Sequence, residues 1–142
     1  MNRRDSLKAL GVTALLAAAS LHAKEEEPYF NRYEMKPENP NKLTPSELKH
    51  TPLITLKEKD EKGYTAIEIT VGQGGIIHPS TKDHWIDFIE LYADGKLVGK
   101  NVLEAEISRG VTLFGVKLEG VKKLTAKAGC NLHGIWSSEV SL

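Results

Sequence analysis

The sequence predicts an all-β chain, an immunoglobulin-like antiparallel β-sandwich of about seven strands. Three observations carry that expectation. Short runs rich in β-branched residues recur with a period near two, clearest in Tyr64-Thr65-Ala66-Ile67-Glu68-Ile69-Thr70-Val71. Turn signals such as Asp94-Gly95 and Glu119-Gly120 separate the runs at the roughly 8 to 12 residue spacing of a sandwich. No internal repeat and no helical period of useful length is present. The 142 residues suffice for one domain with a core and are too few for two.

Taken in order, residues 1–23 read as an export signal. Arg3 and Arg4 precede the apolar run Ala9 to Ala19, and Ala23 offers a small-residue exit before Lys24-Glu25-Glu26-Glu27. The apolar run is too short to span a bilayer comfortably. Arg3-Arg4 followed by Leu7-Lys8 resembles a twin-arginine address, used by proteins that cross already folded, and implies a periplasmic location. Ser6 stands where such signals usually carry an apolar residue, which keeps the general secretory route as the alternative.

Residues 24–45 form a polar segment punctuated by Pro28, Pro37, Pro40 and Pro45. That composition argues against a long helix or a central strand, and predicts an extended arm with a helical turn near Thr44-Pro45-Ser46-Glu47. Residues 46–142 are the sandwich domain. Its expected strands are Leu53 to Lys57, Tyr64 to Val71, Trp85 to Tyr92, Lys96 to Glu104, Val111 to Leu118, Val121 to Ala126 and Ile135 to Leu142. The charged stretch at 58–62 reads as a solvated hairpin turn, and Gly72-Gln73-Gly74-Gly75 ends the second strand.

Lys plus Arg and Asp plus Glu each number 19, and removing the signal leaves the chain slightly acidic. No basic tract dominates, so nucleic acid is not an expected partner. The one cysteine, Cys130, cannot form an internal disulfide. In an oxidising compartment it is either buried and inert or held as a metal thiolate.

The remaining histidines favour the second alternative. His50, His78, His84 and His133 all fall at expected strand ends or in loops, as does Cys130, and the loops at one end of a sandwich can converge on a single ion. Cys130-Asn131-Leu132-His133-Gly134 alone is a weak signal, since a buried cysteine near a histidine is common. Four imidazoles and a thiolate exceed the tetrahedral set of structural zinc. Such a set suits iron and leaves one octahedral position free for a substrate.

Four blocks then carry a family likeness: Lys49-His50-Thr51-Pro52-Leu53-Ile54; His78-Pro79 with His84; Trp85 to Leu91; and Cys130 to Gly134 with Trp136. In this order and spacing the chain resembles the superoxide reductase family, which includes neelaredoxin and the iron-site domain of desulfoferrodoxin. The likeness covers roughly residues 45 to 142. It implies one iron ion per chain, with His50, His78, His84 and His133 as equatorial ligands and Cys130 as the axial thiolate. The implied reaction is one-electron reduction of superoxide to hydrogen peroxide, without release of dioxygen. A trans thiolate pushes electron density toward the bound oxygen species, and backbone N–H groups of the Asn131 to Gly134 turn tune that push.

Lys49 is the expected electrostatic guide for the anion, its plainer reading being a solvated surface lysine. Three features depart from the pattern. Leu48 stands where a glutamate often provides a sixth ligand, leaving Glu47, one residue back, or water in that role. The gap between His50 and His78 is longer than in compact members. No second cysteine-rich domain is present, so electrons are expected from a separate donor such as rubredoxin or a cytochrome. The family likeness also implies a homo-oligomer. Two competing readings share the sequence: a non-catalytic exported iron-binding or electron-transfer module with the same ligands, and a metal-free immunoglobulin-like interaction domain.

Overall fold

Strand formation follows the alternation of side chains. In the computed structural model, which describes residues 26–142, eight strands and one short helix are formed: β1 Glu34–Met35, α1 Pro45–His50, β2 Pro52–Lys59, β3 Tyr64–Val71, β4 Ile86–Ala93, β5 Lys96–Val102, β6 Val111–Lys117, β7 Lys123–Cys130 and β8 Gly134–Ser141. The export signal expected at 1–23 lies outside the described residues. Two sheets result, ordered β1-β8-β7-β4-β5 and β2-β3-β6. Every pairing is antiparallel except β1 on β8.

The core lies between the sheets. From the smaller sheet come Ile54, Ile67, Ile69, Val71 and Val116, and from the larger Ile86, Ile89, Leu91, Leu124, Ala126 and Ala128. Ile67, Ile69, Ile89 and Leu91 have no more than trace exposure. Each buried branched side chain contributes roughly 1.5–3 kcal/mol of transfer free energy.

Three elements differ from expectation. The arm contributes an eighth strand: Glu34 and Met35 pair in parallel with Ile135 and Trp136, which is possible because β8 otherwise presents a free edge. The strand expected at 121–126 begins at Lys123 and runs on to Cys130, so the cysteine is the last residue of β7 and not part of a loop. In its second half the buried positions are the small Ala126, Ala128 and Gly129, and a side chain at Gly129 would collide with the Phe88 ring. The helical turn extends to six residues.

Helix α1 has clear local causes. Thr44 caps it, its hydroxyl accepting from Glu47 N at 3.3 Å while the Glu47 carboxylate accepts from Thr44 N at 2.8 Å. Pro45 occupies the first turn, where no N–H is needed. Pro52 then forces Thr51 into an extended conformation (φ −73°, ψ 124°), which stops the helix at His50.

Candidate metal centre

Those two prolines fix His50 at the helix end, where its ring is buried. Its Nδ1–H donates to the Ser46 carbonyl at 2.8 Å, one helical turn back, so Nε2 carries the lone pair and faces inward. His78 arrives through the glycine-rich loop after β3. Gly72 is required there: its φ is +93°, and a Cβ would sit 2.6 Å from Ile76 O and 2.7 Å from His78 N. The His78 Nδ1–H donates to Pro79 O at 2.7 Å, again leaving Nε2 as the free donor atom.

His84 closes a small turn in which Thr81 N donates to His84 O at 2.8 Å and His84 N donates to Thr81 O at 3.2 Å. Cys130 ends β7 with no exposed surface. His133 sits in the three-residue turn to β8 and is exposed. Its Nδ1 lies 3.1 Å from His50 Nε2 and 3.4 Å from Cys130 Sγ.

The five residues expected from the sequence therefore come together. Donor atoms of His50, His78, His84 and Cys130 all lie within 4.8 Å of one another, with His133 adjoining through its Nδ1. The imidazoles form a four-sided ring. Its sides, as centroid distances, are 4.7 Å (His50–His133), 5.0 Å (His133–His84), 4.7 Å (His84–His78) and 5.1 Å (His78–His50), with 6.5 Å across from His50 to His84. Trp136 stacks on His50 at 5.5 Å and 21° and floors that corner.

Burial sets the protonation of this group. Loss of solvent pulls His50 down to about 4 and His78 to about 3 from the ordinary 6.5, against the opposing effect of their carbonyl hydrogen bonds. His84 is lowered for the same reason, with nearby positive charge adding to it. The Cys130 thiol is pushed up by burial, partly opposed by hydrogen bonds from the His133 and Leu132 backbone amides.

At neutral pH His50, His78 and His84 are thus neutral imidazoles. His78 Nε2 and His84 Nε2 are buried and have no hydrogen-bond partner. An unpaired buried nitrogen costs about 1–3 kcal/mol, and two aimed into one cluster fit a metal ion that would satisfy both. Nitrogen, nitrogen and sulfur donors of this kind suit iron.

Lys49 and Glu47 fare differently. Lys49 lies in the last turn of α1 beside His50, and its positive charge is among the lesser causes that lower His50, His78 and His84. Both Glu47 oxygens are engaged by backbone amides, Oε2 by Thr44 and Oε1 by Glu38 at 3.2 Å, and these bonds hold its carboxyl below the usual range. The structure places Glu47 in the helix cap and not in the donor cluster.

Sequence reasoning missed Asn131. It is fully buried; its Oδ1 accepts from Trp85 N at 2.9 Å and its Nδ2 donates to Asp83 O at 2.8 Å and Tyr29 O at 3.2 Å. It thereby joins the Cys130 turn to both neighbours of His84. An asparagine beside a candidate ligand was the available signal, though nothing in the sequence shows that it is buried.

The Desulfoferrodoxin family model matches residues 42–139. The chain belongs to the desulfoferrodoxin family. Among its relatives, the superoxide reductase of Pyrococcus abyssi is 36% identical over 105 residues, covering 66% of this chain and 87% of that protein. The desulfoferrodoxin of Desulfarculus baarsii is 31% identical over 106 residues, covering 75% of this chain and 74% of its own. Among solved structures, the superoxide reductase of Giardia intestinalis is 31% identical and superposes with a TM-score of 0.58, over 66% of this chain and 98% of that one. The span matched by the desulfoferrodoxin family holds all five clustered residues, from the cap of α1 to β8, and begins after most of the arm.

Proposed function

We propose that this desulfoferrodoxin-family chain is an exported superoxide reductase with one iron per chain, held by His50, His78, His84, His133 and Cys130. The four-sided ring of imidazoles around a buried thiol is the observation that carries the reading, because a metal-free interaction domain has no use for two orphaned buried nitrogens. When bound, iron supplies the one-electron chemistry, and thiolate ligation makes it a stronger electron donor.

The chain's residues supply the rest. His50 and His78 are oriented by carbonyls at 2.8 and 2.7 Å, which fix the tautomer that offers Nε2. The amides of Leu132 and His133 point at the Cys130 sulfur and moderate its charge. Lys49 draws the anion toward the pocket. Superoxide takes up one electron and two protons to give hydrogen peroxide. The electron comes from an external donor such as rubredoxin or a cytochrome, and the protons come from water on the exposed His133 side.

Protein from an iron-supplied host should contain iron and show a thiolate-to-ferric band that Cys130→Ser removes. With a reductant, peroxide should form in proportion to superoxide consumed. Dioxygen at the share expected for dismutation would overturn the assignment, and an iron-loaded protein slow toward superoxide would favour the electron-transfer module. Residues 1–23 as signal, 24–45 as arm and 46–142 as iron domain complete the reading. N-terminal sequencing of periplasmic protein tests the cleavage and its location, and sedimentation tests the expected homo-oligomer.

A further inference from the structure

The arm makes contacts out of proportion to its size, and they converge on one turn. Asn31 N donates to Asn131 O at 2.6 Å, and Asn31 Nδ2 donates to Leu132 O at 3.2 Å. Tyr29 O accepts from Asn131 Nδ2, and Tyr33 O accepts from Ile135 N at 2.8 Å. Between these sits Gly134, at φ +92°, where a Cβ would lie 2.6 Å from Tyr33 O; the turn is shaped to let the arm pass. Asn131, Leu132 and Ile135 are thus each tied to residues 29–33, on both sides of His133.

The arm is itself anchored. Arg32 makes a two-bonded ion pair with the buried Asp87 of β4, and its guanidinium lies 4.7 Å from the Phe30 ring and 5.4 Å from the Phe88 ring. Phe30 meets Trp85, the neighbour of His84, edge-on at 5.7 Å. Lys127 holds Glu34 at 2.7 Å. None of residues 29–35 belongs to the core cluster, so these bonds are not what closes the sandwich.

We propose that residues 29–35 are a positioning strap that holds the Asn131–Gly134 turn, and with it His133, at metal-binding distance before any metal arrives. His133 needs such help. It is the exposed member of the cluster, whereas His50 is set by α1 and Cys130 by β7. Asn31 is the main positioning residue, and Arg32 fastens the strap to β4. Without the strap the turn gains alternative conformations, and each lowers the fraction of protein able to bind. The strap is separate from the family-matched span, which begins at residue 42. The inference rests on the metal reading of the cluster and not on superoxide as the substrate.

The test titrates Co(II) into metal-free full-length protein carrying Asn31→Ala with Arg32→Ala, and follows the thiolate-to-cobalt band against a competing chelator. The expected result is an affinity about ten-fold or more lower than wild type, the usual size of an outer-shell effect, with an altered band. The far-UV circular dichroism of the variant should stay that of the wild type. Arg32→Lys, which keeps the ion pair, should recover part of the affinity. An unchanged affinity and band in the folded double variant overturns the strap alone. A wild-type chain that takes up no Co(II) overturns the strap and the metal reading together. If the double variant loses its β signal, Asn31→Ala alone, which leaves the Arg32 anchor in place, is titrated instead; an unchanged affinity there, or a second loss of the β signal, overturns the proposal.

Discussion

His78 donates from Nδ1 to the carbonyl of its own neighbour, Pro79, at 2.7 Å. A carbonyl cannot donate in return, so the bond fixes the tautomer, and the other nitrogen is left as a buried lone pair without a partner. His50 is turned in the same way by the Ser46 carbonyl, so that the free nitrogens of these two rings meet in one cluster.

Replacing His78 by Leu nearly keeps the volume of this buried side chain and removes both nitrogens. The carbonyl of Pro79 loses a donor, while an orphaned acceptor disappears, so the metal-free fold should change by no more than about 1 kcal/mol. Metal uptake should fall at least ten-fold. Urea midpoints of the metal-free forms and metal content after loading check both halves. A variant that loads as fully as the wild type would remove His78 from the site.

The metal-free protein should lose stability in acid. Unfolded imidazoles titrate near 6.5, whereas His50 and His78 in the fold titrate at about 4 and about 3. Below 6.5 the unfolded chain therefore binds more protons than the folded one. The contribution of these residues is complete above 6.5 and is lost as pH falls toward 4 and 3, with His84 acting in the same direction. Cys130 works at the other end: its raised thiol contributes fully below the ordinary thiol range and less as pH climbs through it. Urea midpoints of metal-free protein should drop between about pH 7 and pH 5. Equal midpoints would mean that the pocket is wetter than the structure shows.

The same signs predict where the proton goes on metal uptake. Near pH 7, His50, His78 and His84 are already neutral, and Cys130 is the group that still holds a proton. Metal binding should release that proton, visible with a pH indicator in weak buffer. Cys130→Ala should remove the release.

Lys49→Ala should slow the reaction with superoxide several-fold and flatten its dependence on ionic strength, because a cation beside His50 at the end of α1 attracts an arriving anion. Rates by pulse radiolysis at low and moderate salt decide it. An unchanged salt slope would make Lys49 an ordinary solvated lysine.

Much of this architecture was legible because its causes are local. The alternation Thr65, Ile67, Ile69, Val71 marks β3 with its buried face, and Thr44 with Glu47 marks the helix that sets His50. The four histidines and the cysteine could be grouped because each sits beside a turn-forming residue. The rest depends on distant partners. Ala126 to Gly129 carry little strand preference, and only the ring of Phe88 shows why small residues continue β7 to Cys130. Glu34–Met35 is too short to announce itself as a strand, and its pairing with β8 is parallel and long-range. Glu47 looked available to a metal until its two oxygens were seen to be bound in the cap.

Asn131→Asp separates the two halves of the residue that joins these parts. The change keeps an acceptor for Trp85 N but removes both donors, and sets a carboxylate against the carbonyls of Asp83 and Tyr29. Two buried acceptors lose their partner, and a charge is buried without one, so the fold should lose about 3 kcal/mol or more near neutral pH. The new carboxyl titrates higher in the fold than in the unfolded chain, since it is fully buried and faces two carbonyl acceptors against the single donor Trp85 N. The unfolded chain therefore binds fewer protons than the folded one over that range, and the deficit against the wild type should shrink as pH falls. Paired urea titrations of metal-free protein read the difference, which cancels the histidine effect common to both chains. A deficit that stays constant or widens in acid would show that the Asn131 amide is not the donor to Asp83 and Tyr29, and that the Cys130 turn is held to the His84 loop by packing alone.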